Sequence, residues 1–360
     1  VVALLVILLV MPLSACSVLK LAGTSEGSNA GVQETTEETR IFVDSAGREV
    51  EVPVNIERIA PSGNTAQMVL LSIAPEKMVG LANTPSSDIA KFVSIDVSDM
   101  PTFGALYGSK GSLNKEALAA ADPQVIIDTG EAKDGIAEDL DNLQEQMGIP
   151  FVFIETTLDN YGTAYEMLGD LLGETERAQE LADYCNAAYK ETVAVMDTIP
   201  TDERANVAYL LGDSGLNAIA KDSYQGQVID LCANNVVEVD NASGAGSGNE
   251  IDLEQLALWD PDIILFGPDS IYDSVYEEAA WKELTAVKTK EIYLVPSTPY
   301  NWLNYPPTVN QVMGMQWLPR LLYPEKFDTS IEDVTRAYYK LFYSYDLSDT
   351  ELIELLQGAV

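Results

Sequence analysis

Residues 114–128 read NKEALAAADPQVIID, and residues 252–266 read DLEQLALWDPDIILF. Laid one over the other, Glu116 falls on Glu254, Leu118 on Leu256, Asp122-Pro123 on Asp260-Pro261, and Val125-Ile126-Ile127 on Ile263-Ile264-Leu265. Each copy is a short helical stretch closed by Asp-Pro, since Pro cannot continue a helix and drives the residue before it out of the helical region. The apolar run that follows reads as a buried strand. A chain that writes one helix–stop–strand unit twice is expected to hold two similar halves.

The flanking sequence extends both halves. In the first, residues 40–53 (RIFVDSAGREVEVP) alternate as a hairpin around Ala-Gly. Residues 57–73 read strand, Pro-Ser-Gly loop, helix; MVGLA (78–82) reads as a short buried strand; residues 135–155 read helix, Gly stop, strand. In the second, ANVAYLLGD (205–213) is a strand, GQVIDLCANN (226–235) a helix and EIYLVP (291–296) a strand. Strands alternating with helices imply parallel pairing through right-handed crossovers. Between the halves, apolar residues at 178, 181, 182, 185, 188, 189, 193 and 196 form a helical stripe uninterrupted by Gly or Pro over 174–197. At 1.5 Å per residue such a rod is roughly 35 Å long, a stiff connection rather than a hinge. The expected fold class is α/β: two Rossmann-like lobes with central, mostly parallel sheets, joined by one long α-helix. The expected divisions are 1–15, a truncated signal peptide; 16–39, a lipidated Cys and flexible tether; 40–157, the N-terminal lobe; 158–199, the interlobe helical linker; and 200–360, the C-terminal lobe with its C-terminal helices. The tail, residues 330–357, reads as two amphipathic helices that pack back on a lobe.

Composition narrows the function. Acidic residues number 57 against 20 basic, a net charge of −37. That excess excludes nonspecific nucleic-acid binding, which needs cations to displace counterions from phosphates. There is no histidine, which removes Ser-His-Asp and Cys-His nucleophile arrangements and His-ligated zinc. The three cysteines, Cys16, Cys185 and Cys232, are too scattered for a metal cluster. Cys185 and Cys232 read as small buried apolar residues; a disulfide between them is left open, with nothing in the sequence to require it.

The first sixteen residues, VVALLVILLVMPLSAC, hold an apolar run too short to span a bilayer and suited to the core of an export signal. With no starting Met and no basic leader, the chain is expected to be truncated at its front. Leu13-Ser14-Ala15-Cys16 resembles the lipobox of bacterial lipoproteins, in which the Cys thiol accepts a diacylglycerol. Residues 22–39 are rich in Gly, Ser, Thr and Glu, cannot bury enough surface to fold, and read as a tether.

The lipobox, SLNKEALAAADPQVII (112–127), IDLEQLALWDPDIIL (251–265) and the late VPSTPYNWLNYPPTVNQVMGMQWLPRLLYP (295–324), in this order, resemble the substrate-binding lipoproteins of ABC importers. The likeness is to the group with a single interlobe helix, the periplasmic binding proteins for ferric siderophores, haem or cobalamin. The resemblance implies a noncatalytic receptor, without cofactor or structural metal, that captures such a ligand between its lobes and delivers it to a permease dimer. It implies a monomer held by lipid to the extracytoplasmic face of the cell membrane. A related group with similar late motifs binds molybdate or tungstate, and that oxyanion reading is kept as the alternative. In the family a Glu on each lobe docks onto permease Arg residues; the matching positions are Glu116 and Glu254. A Glu in a first helical turn is also favoured by the helix dipole alone.

In paired open α/β lobes, ligands sit at the carboxyl ends of the strands. The loops there place Ser62, Asn64, Thr65, Tyr107 and Lys110 on the first lobe as candidate ligand residues. On the second they place Lys221, Tyr224, Tyr300, Asn301 and Trp302. YNWLNY (300–305) offers aromatic faces with polar tips, suited to a flat or greasy ligand; Trp302 and Tyr305 are equally compatible with packing under the loop. Lys110 and Lys221 are candidate partners for an anionic ligand. SGAGSGN (243–249) is glycine-rich but is not a GxGxxG phosphate cradle. No Arg cluster marks the cleft. An exported hydrolase is the rival reading. That enzyme, or a metal-dependent one on the same scaffold, needs a nucleophile–base pair or a carboxylate metal cage, which the absence of His makes hard; paired acids such as Asp213 and Asp269 can be proposed, but nothing in the sequence places them together. A surface protein that binds another protein is the second rival and predicts an apolar patch in place of a cleft.

Overall fold

The structure is a computed structural model, and it describes residues 38–107, 112–244 and 246–360. An antiparallel hairpin, β1 (Thr39–Val43) and β2 (Glu49–Pro53), opens the described chain. β3 (Ile59–Pro61), α1 (Asn64–Ile73), α2 (Ser87–Ala90), α3 (Lys115–Ala120), β4 (Val125–Gly130), α4 (Ile136–Met147) and β5 (Phe151–Glu155) follow. They build a parallel sheet of order β3-β4-β5. MVGLA does not form a strand: Met78 bridges to Ile59 and Leu81 to Thr102 as isolated pairs.

Helices α5 (Tyr161–Leu172) and α6 (Thr175–Met196) then carry the chain across. The 22 residues of α6 amount to about 33 Å. Its buried stripe, Ala178, Leu181, Ala182, Cys185, Ala188, Thr192 and Met196, follows the helical period expected of it. The second lobe comprises β6 (Asn206–Leu211), β7 (Asn217–Ala218), α7 (Gln227–Cys232), β8 (Asn234–Asn235), β9 (Asn249–Glu250), α8 (Leu253–Trp259), β10 (Ile263–Phe266), α9 (Thr285–Thr289) and β11 (Ile292–Leu294). Its sheet runs β11-β10-β6-β7-β9, with β8 beside the start of β6. The pairs among β11, β10, β6 and β8 are parallel; β7 and β9 add antiparallel edges. Last come α10 (Gln311–Leu322), α11 (Ile331–Tyr343) and α12 (Asp349–Leu355).

The doubled phrase is one physical device used twice. Asn114 caps α3 by accepting from Ala117 N–H at 3.0 Å, and Asp252 caps α8 by accepting from Gln255 N–H at 2.7 Å. Leu118 and Leu256 are fully buried beneath the two helices. Asp122 (φ 50) and Asp260 (φ 43) turn the chain through the left-handed region, which Asp tolerates better than most residues. The residue after each Pro then ties the new strand to its neighbour. The Gln124 side-chain oxygen accepts from Arg58 N–H at 3.1 Å beside β3, and Asp262 accepts from Asn206 N–H at 3.0 Å at the start of β6.

Side chains alternate across each sheet as the strand period requires. Ile126, Phe151 and Phe153 face an outer layer with Leu118, Leu140 and Leu143. Val125, Ile127, Val152 and Ile154 face a large inner core that also takes Val207, Tyr209 and Leu265 from the second sheet and the apolar faces of α5, α6, α10 and α11. The tail does not pack on one lobe. Phe342 of α11 meets Tyr165 edge-on at 6.2 Å, and its neighbour Tyr339 meets Phe92 at 5.7 Å, both in the first half. Beyond α12, the carbonyl of Gly358 accepts from Leu294 N–H at 2.7 Å and that of Ala359 from the Trp317 indole at 3.0 Å, both in the second half. Cys185 and Cys232 are buried free thiols, and burial pushes both well above the ordinary thiol range. Among the described residues, no helix is long and apolar enough to cross a membrane, and no three His, Cys, Asp or Glu side chains gather to hold a metal.

Candidate functional site

The carboxyl ends of β3, β4, β6, β10 and β11 open toward one another, and two chambers lie between the lobes there. The first has a volume of about 480 Å³. Its first-lobe wall comes from α1 (Asn64, Gln67, Met68) and from the loop Asn83–Ser86 with Ile89; its second-lobe wall comes from the segments 211–213, 267–269, 299–301 and 304–306. The second, about 500 Å³, is walled by Ser62, Thr65, Tyr107, Asp128 and Lys133 from one side and by Tyr224 and Gln225 from the other. Asn64, Ser247, Tyr305 and Pro306 line both and form the partition between them.

The partition is built with care. Tyr305 is 67% exposed and holds a left-handed backbone (φ 66), a conformation rare for a bulky residue and concentrated at functional sites. A side chain at Gly246 would press its Cβ to within 3.2 Å of the Tyr305 ring, so the glycine-rich segment gives that ring its room. Its carbonyl also accepts from the Asn304 amide at 3.2 Å. Gln67, almost fully buried, holds the opposing loop: its oxygen accepts from Ala82 N–H at 2.6 Å and Asn83 N–H at 3.1 Å. Tyr300 faces Gln67 from the other lobe and hydrogen-bonds to it, while burial pushes its phenol up to about 12.

The candidates from the sequence divide between these spaces. Asn64, Tyr300 and Asn301 line the first chamber; Ser62, Asn64, Thr65, Tyr107 and Tyr224 line the second. Several of their polar groups are already engaged. Ser62 donates to Asp128, and Thr65 donates to the Thr129 carbonyl at 2.8 Å. Asn301 donates to Ser297 at 2.9 Å and accepts from the Leu303 and Asn304 N–H groups, so it shapes its loop. The buried Tyr107 hydroxyl has no partner among the described residues, and the ammonium of Lys133 rests 4.1 Å above its ring. Burial, with the nearby Asp128, pushes the Tyr107 phenol up to about 12.

Two candidates are corrected. Trp302 is core, at 1% exposure: it packs edge-on to Trp317 at 6.2 Å and lines neither chamber. The reason is α10, where Gly314 leaves room for the Trp302 backbone to descend; a Cβ there would lie 2.2 Å from the Trp302 carbonyl oxygen. Lys221 lines neither chamber either, and it pairs with Glu238 at 3.2 Å on the surface. Lys110 and Cys16, with the signal segment and the tether up to residue 37, fall outside the described residues; Thr39, expected in the tether, already belongs to β1. The structure adds Gln67, Asp213 and Asp269 to the first chamber and Asp128 and Lys133 to the second. The loops 213–217 and 267–269 are legible as strand ends, which signals the two aspartates. Gln67 carries no signal beyond being polar within an apolar helix.

Glu116 and Glu254 occupy the second position of α3 and α8, both exposed and both without an ion-pair partner among the described residues. Exposed Leu258 stands one turn beyond Glu254, at 81%; Ala120 holds the matching place after Glu116.

Comparison with known proteins agrees with this geometry. The chain matches the family model described as periplasmic binding protein over residues 62–299, and it belongs to that family. It is a solute-binding protein of ABC transport, not an enzyme. Its fold resembles an ABC transporter solute-binding protein from Sulfurospirillum deleyianum, at 28% identity over 88% of this chain and 99% of that one, with a TM-score of 0.81. It also resembles the molybdate-bound protein MolA of Haemophilus influenzae, at 21% identity over 86% and 99% of the two chains and a TM-score of 0.67. The haem-binding protein RhuT of Roseiflexus aligns at 15% identity over 76% and 100%, with a TM-score of 0.52. No curated protein matches the sequence.

Proposed function

We propose that this protein captures an iron complex, a ferric siderophore or haem, or else cobalamin, in the interlobe cleft. It delivers that ligand to the permease dimer of an ABC importer while tethered to the membrane through lipid on Cys16. The observation that carries the ligand half of this reading is the first chamber. It is a concave space of about 480 Å³ with walls from both lobes, faced by Tyr300 and Tyr305 and rimmed with side-chain amides. That size and mixture suit a ligand with broad apolar faces and scattered hydrogen-bonding groups. A bare molybdate or tungstate ion, the alternative, would fill only a small part of it. The delivery half rests on Glu116 and Glu254, two exposed carboxylates at equivalent places on two lobes, suited to charge-assisted pairing with arginines on two permease subunits.

The test is direct. The purified chain is titrated by calorimetry with ferric trihydroxamate and tris-catecholate chelates, haem, cobalamin and molybdate. At least one chelate or macrocycle is expected to bind stoichiometrically without being converted. Replacing Tyr300→Ala or Tyr305→Ala is expected to weaken it about tenfold or more, near 1.4 kcal/mol. Tight binding of molybdate with none of the larger ligands would overturn the reading in favour of the oxyanion.

A further inference from the structure

Charge divides the molecules this cleft could accept, and the described lining of the first chamber carries charge of one sign only. Among the described residues that line it, the only ionised side chains are Asp213 and Asp269; no Lys or Arg is among them. The two aspartates follow neighbouring strands and line the same chamber. β6 and β10 are adjacent parallel strands in which Leu210 pairs with Phe266. Asp213 and Asp269 are each the third residue beyond that pair, in the loops that leave the two strands. Both are exposed to the chamber mouth, and neither makes a hydrogen bond or ion pair among the described residues. In a structural role, a carboxylate at a strand end normally caps a turn or pairs with a cation. These two do neither.

Among the described residues, the lysines of the adjoining strand-end loops are committed elsewhere. Lys133 lies in the adjoining chamber, over the Tyr107 ring and beside the carboxylates Asp128 and Glu131. Lys221 is paired with Glu238. The remaining polar side chains of the first chamber are amides and hydroxyls, and its rings, Tyr209, Tyr300 and Tyr305, belong to a residue type whose face attracts a cation. The chain as a whole carries −37, a field that repels anions from any opening.

We infer that the first chamber selects a neutral or cationic ligand, with Asp213 and Asp269 as the pair that sets this preference, and that it rejects polyanionic chelates and oxyanions. The inference rests on the receptor reading above and narrows its ligand class. Anionic tris-catecholate complexes, haem with its two carboxylates and molybdate are placed outside the class. Ferric trihydroxamates with a free ammonium group, and uncharged or cationic macrocycles, are placed inside.

The experiment uses one chelate in three charge states. A linear ferric trihydroxamate bearing a terminal amine is compared with its N-acetylated and N-succinylated forms, which share the iron centre and differ at the terminus as cation, neutral and anion. The full chain is titrated with each by calorimetry at low and at high salt, with molybdate and haem alongside. The cationic form is expected to bind about tenfold or more tighter than the anionic form at low salt, with the ratio shrinking as salt is raised. In the double variant Asp213→Asn with Asp269→Asn, the ratio is expected to fall to within about threefold at any salt. Equal or tighter binding of the anionic form, of haem or of molybdate leaves the receptor standing and overturns the charge assignment. So does a double variant that keeps the full preference. Failure of every probe to bind overturns the receptor reading itself, and this inference with it.

Discussion

The hydroxyl of Tyr224 donates to the carbonyl of Thr156 at 2.9 Å, a hydrogen bond that runs from the second lobe to the first along the floor of the cleft. The Thr308 hydroxyl reaches the Thr65 carbonyl at 3.3 Å in the same direction. The lobes are therefore joined below the chambers by more than the rod of α6. Removing one such bond by Tyr224→Phe leaves the ring packed and is expected to cost about 1 kcal/mol, seen as a drop of about 2 °C in Tm. Because that hydroxyl is engaged with backbone, ligand affinity is expected to change less than stability. A large loss of affinity with an unchanged melting curve would instead make Tyr224 a direct ligand contact.

Asp128 gives the protein a pH signature. Burial drives its carboxyl from 3.8 to about 6, against the opposing hydrogen bond from Ser62 and the charge of Lys133. The folded state thus keeps this proton through a range where the unfolded chain has released it. Its contribution to stability is greatest below about pH 4, declines as pH rises to about 6, and is flat above. Asp128→Asn removes the cost of burying the ionised form, so the variant is expected to gain on the parent progressively across that window, by up to about 3 kcal/mol at neutral pH. Urea denaturation of both proteins at pH 4.5 and pH 7.5 measures it. A constant difference between them at the two pH values would refute it.

Gly314 should be intolerant of even one methyl group. A Cβ at that position meets the Trp302 carbonyl oxygen at 2.2 Å, and the Trp302 ring below is locked against Trp317. Gly314→Ala is expected to destabilise by about 1–3 kcal/mol and to weaken ligand binding as the 300–305 segment lifts. Trp302→Ala, by emptying a core position, is expected to cost about 3–5 kcal/mol. If Gly314→Ala melts like the parent, the close packing of α10 under the cleft loop is wrong.

The docking role proposed for Glu116 and Glu254 separates binding from delivery in a testable way. Glu116→Ala combined with Glu254→Ala touches neither chamber and is expected to abolish uptake in cells while leaving ligand affinity within about twofold. Each single change is expected to be milder than the pair, since one lobe still docks. Transport by the double variant at the parental rate would assign docking to other residues, with Leu258 the next to examine.

The repeat was legible because it is local. Caps, Asp-Pro stops and apolar strand runs all act within a few residues, and the same spacing recurs with the same side chains buried. The strand-end loops were legible for the same reason, through strand–helix alternation. Which side chain of a loop faces the cleft was not. Trp302 and Tyr305 stand three residues apart in one aromatic segment, and only Gly314, on a later helix, decides that the first descends into the core. Gln67 shows polarity in an apolar helix, but its purpose lies in two N–H groups of a loop fifteen residues on. Lys221 looked available because Glu238, its partner, is distant enough in sequence to escape any local pattern. The tail was legible as amphipathic helices, yet its apolar stripe fits two surfaces together, and no periodicity reveals that.

That last attachment bears on the order in which the molecule can assemble. The outer edge of the second sheet is closed by Gly358 and the Trp317 indole by Ala359, while α11 seals the inner side of the first half. A chain delivered amino end first can complete neither half until nearly all of it has arrived. Pulse-labelled intermediates lacking residues 331–360, and so both α11 and the terminal contacts, should remain protease-sensitive in both halves at once, which would keep the chain pliable during passage across a membrane and rigid only on arrival.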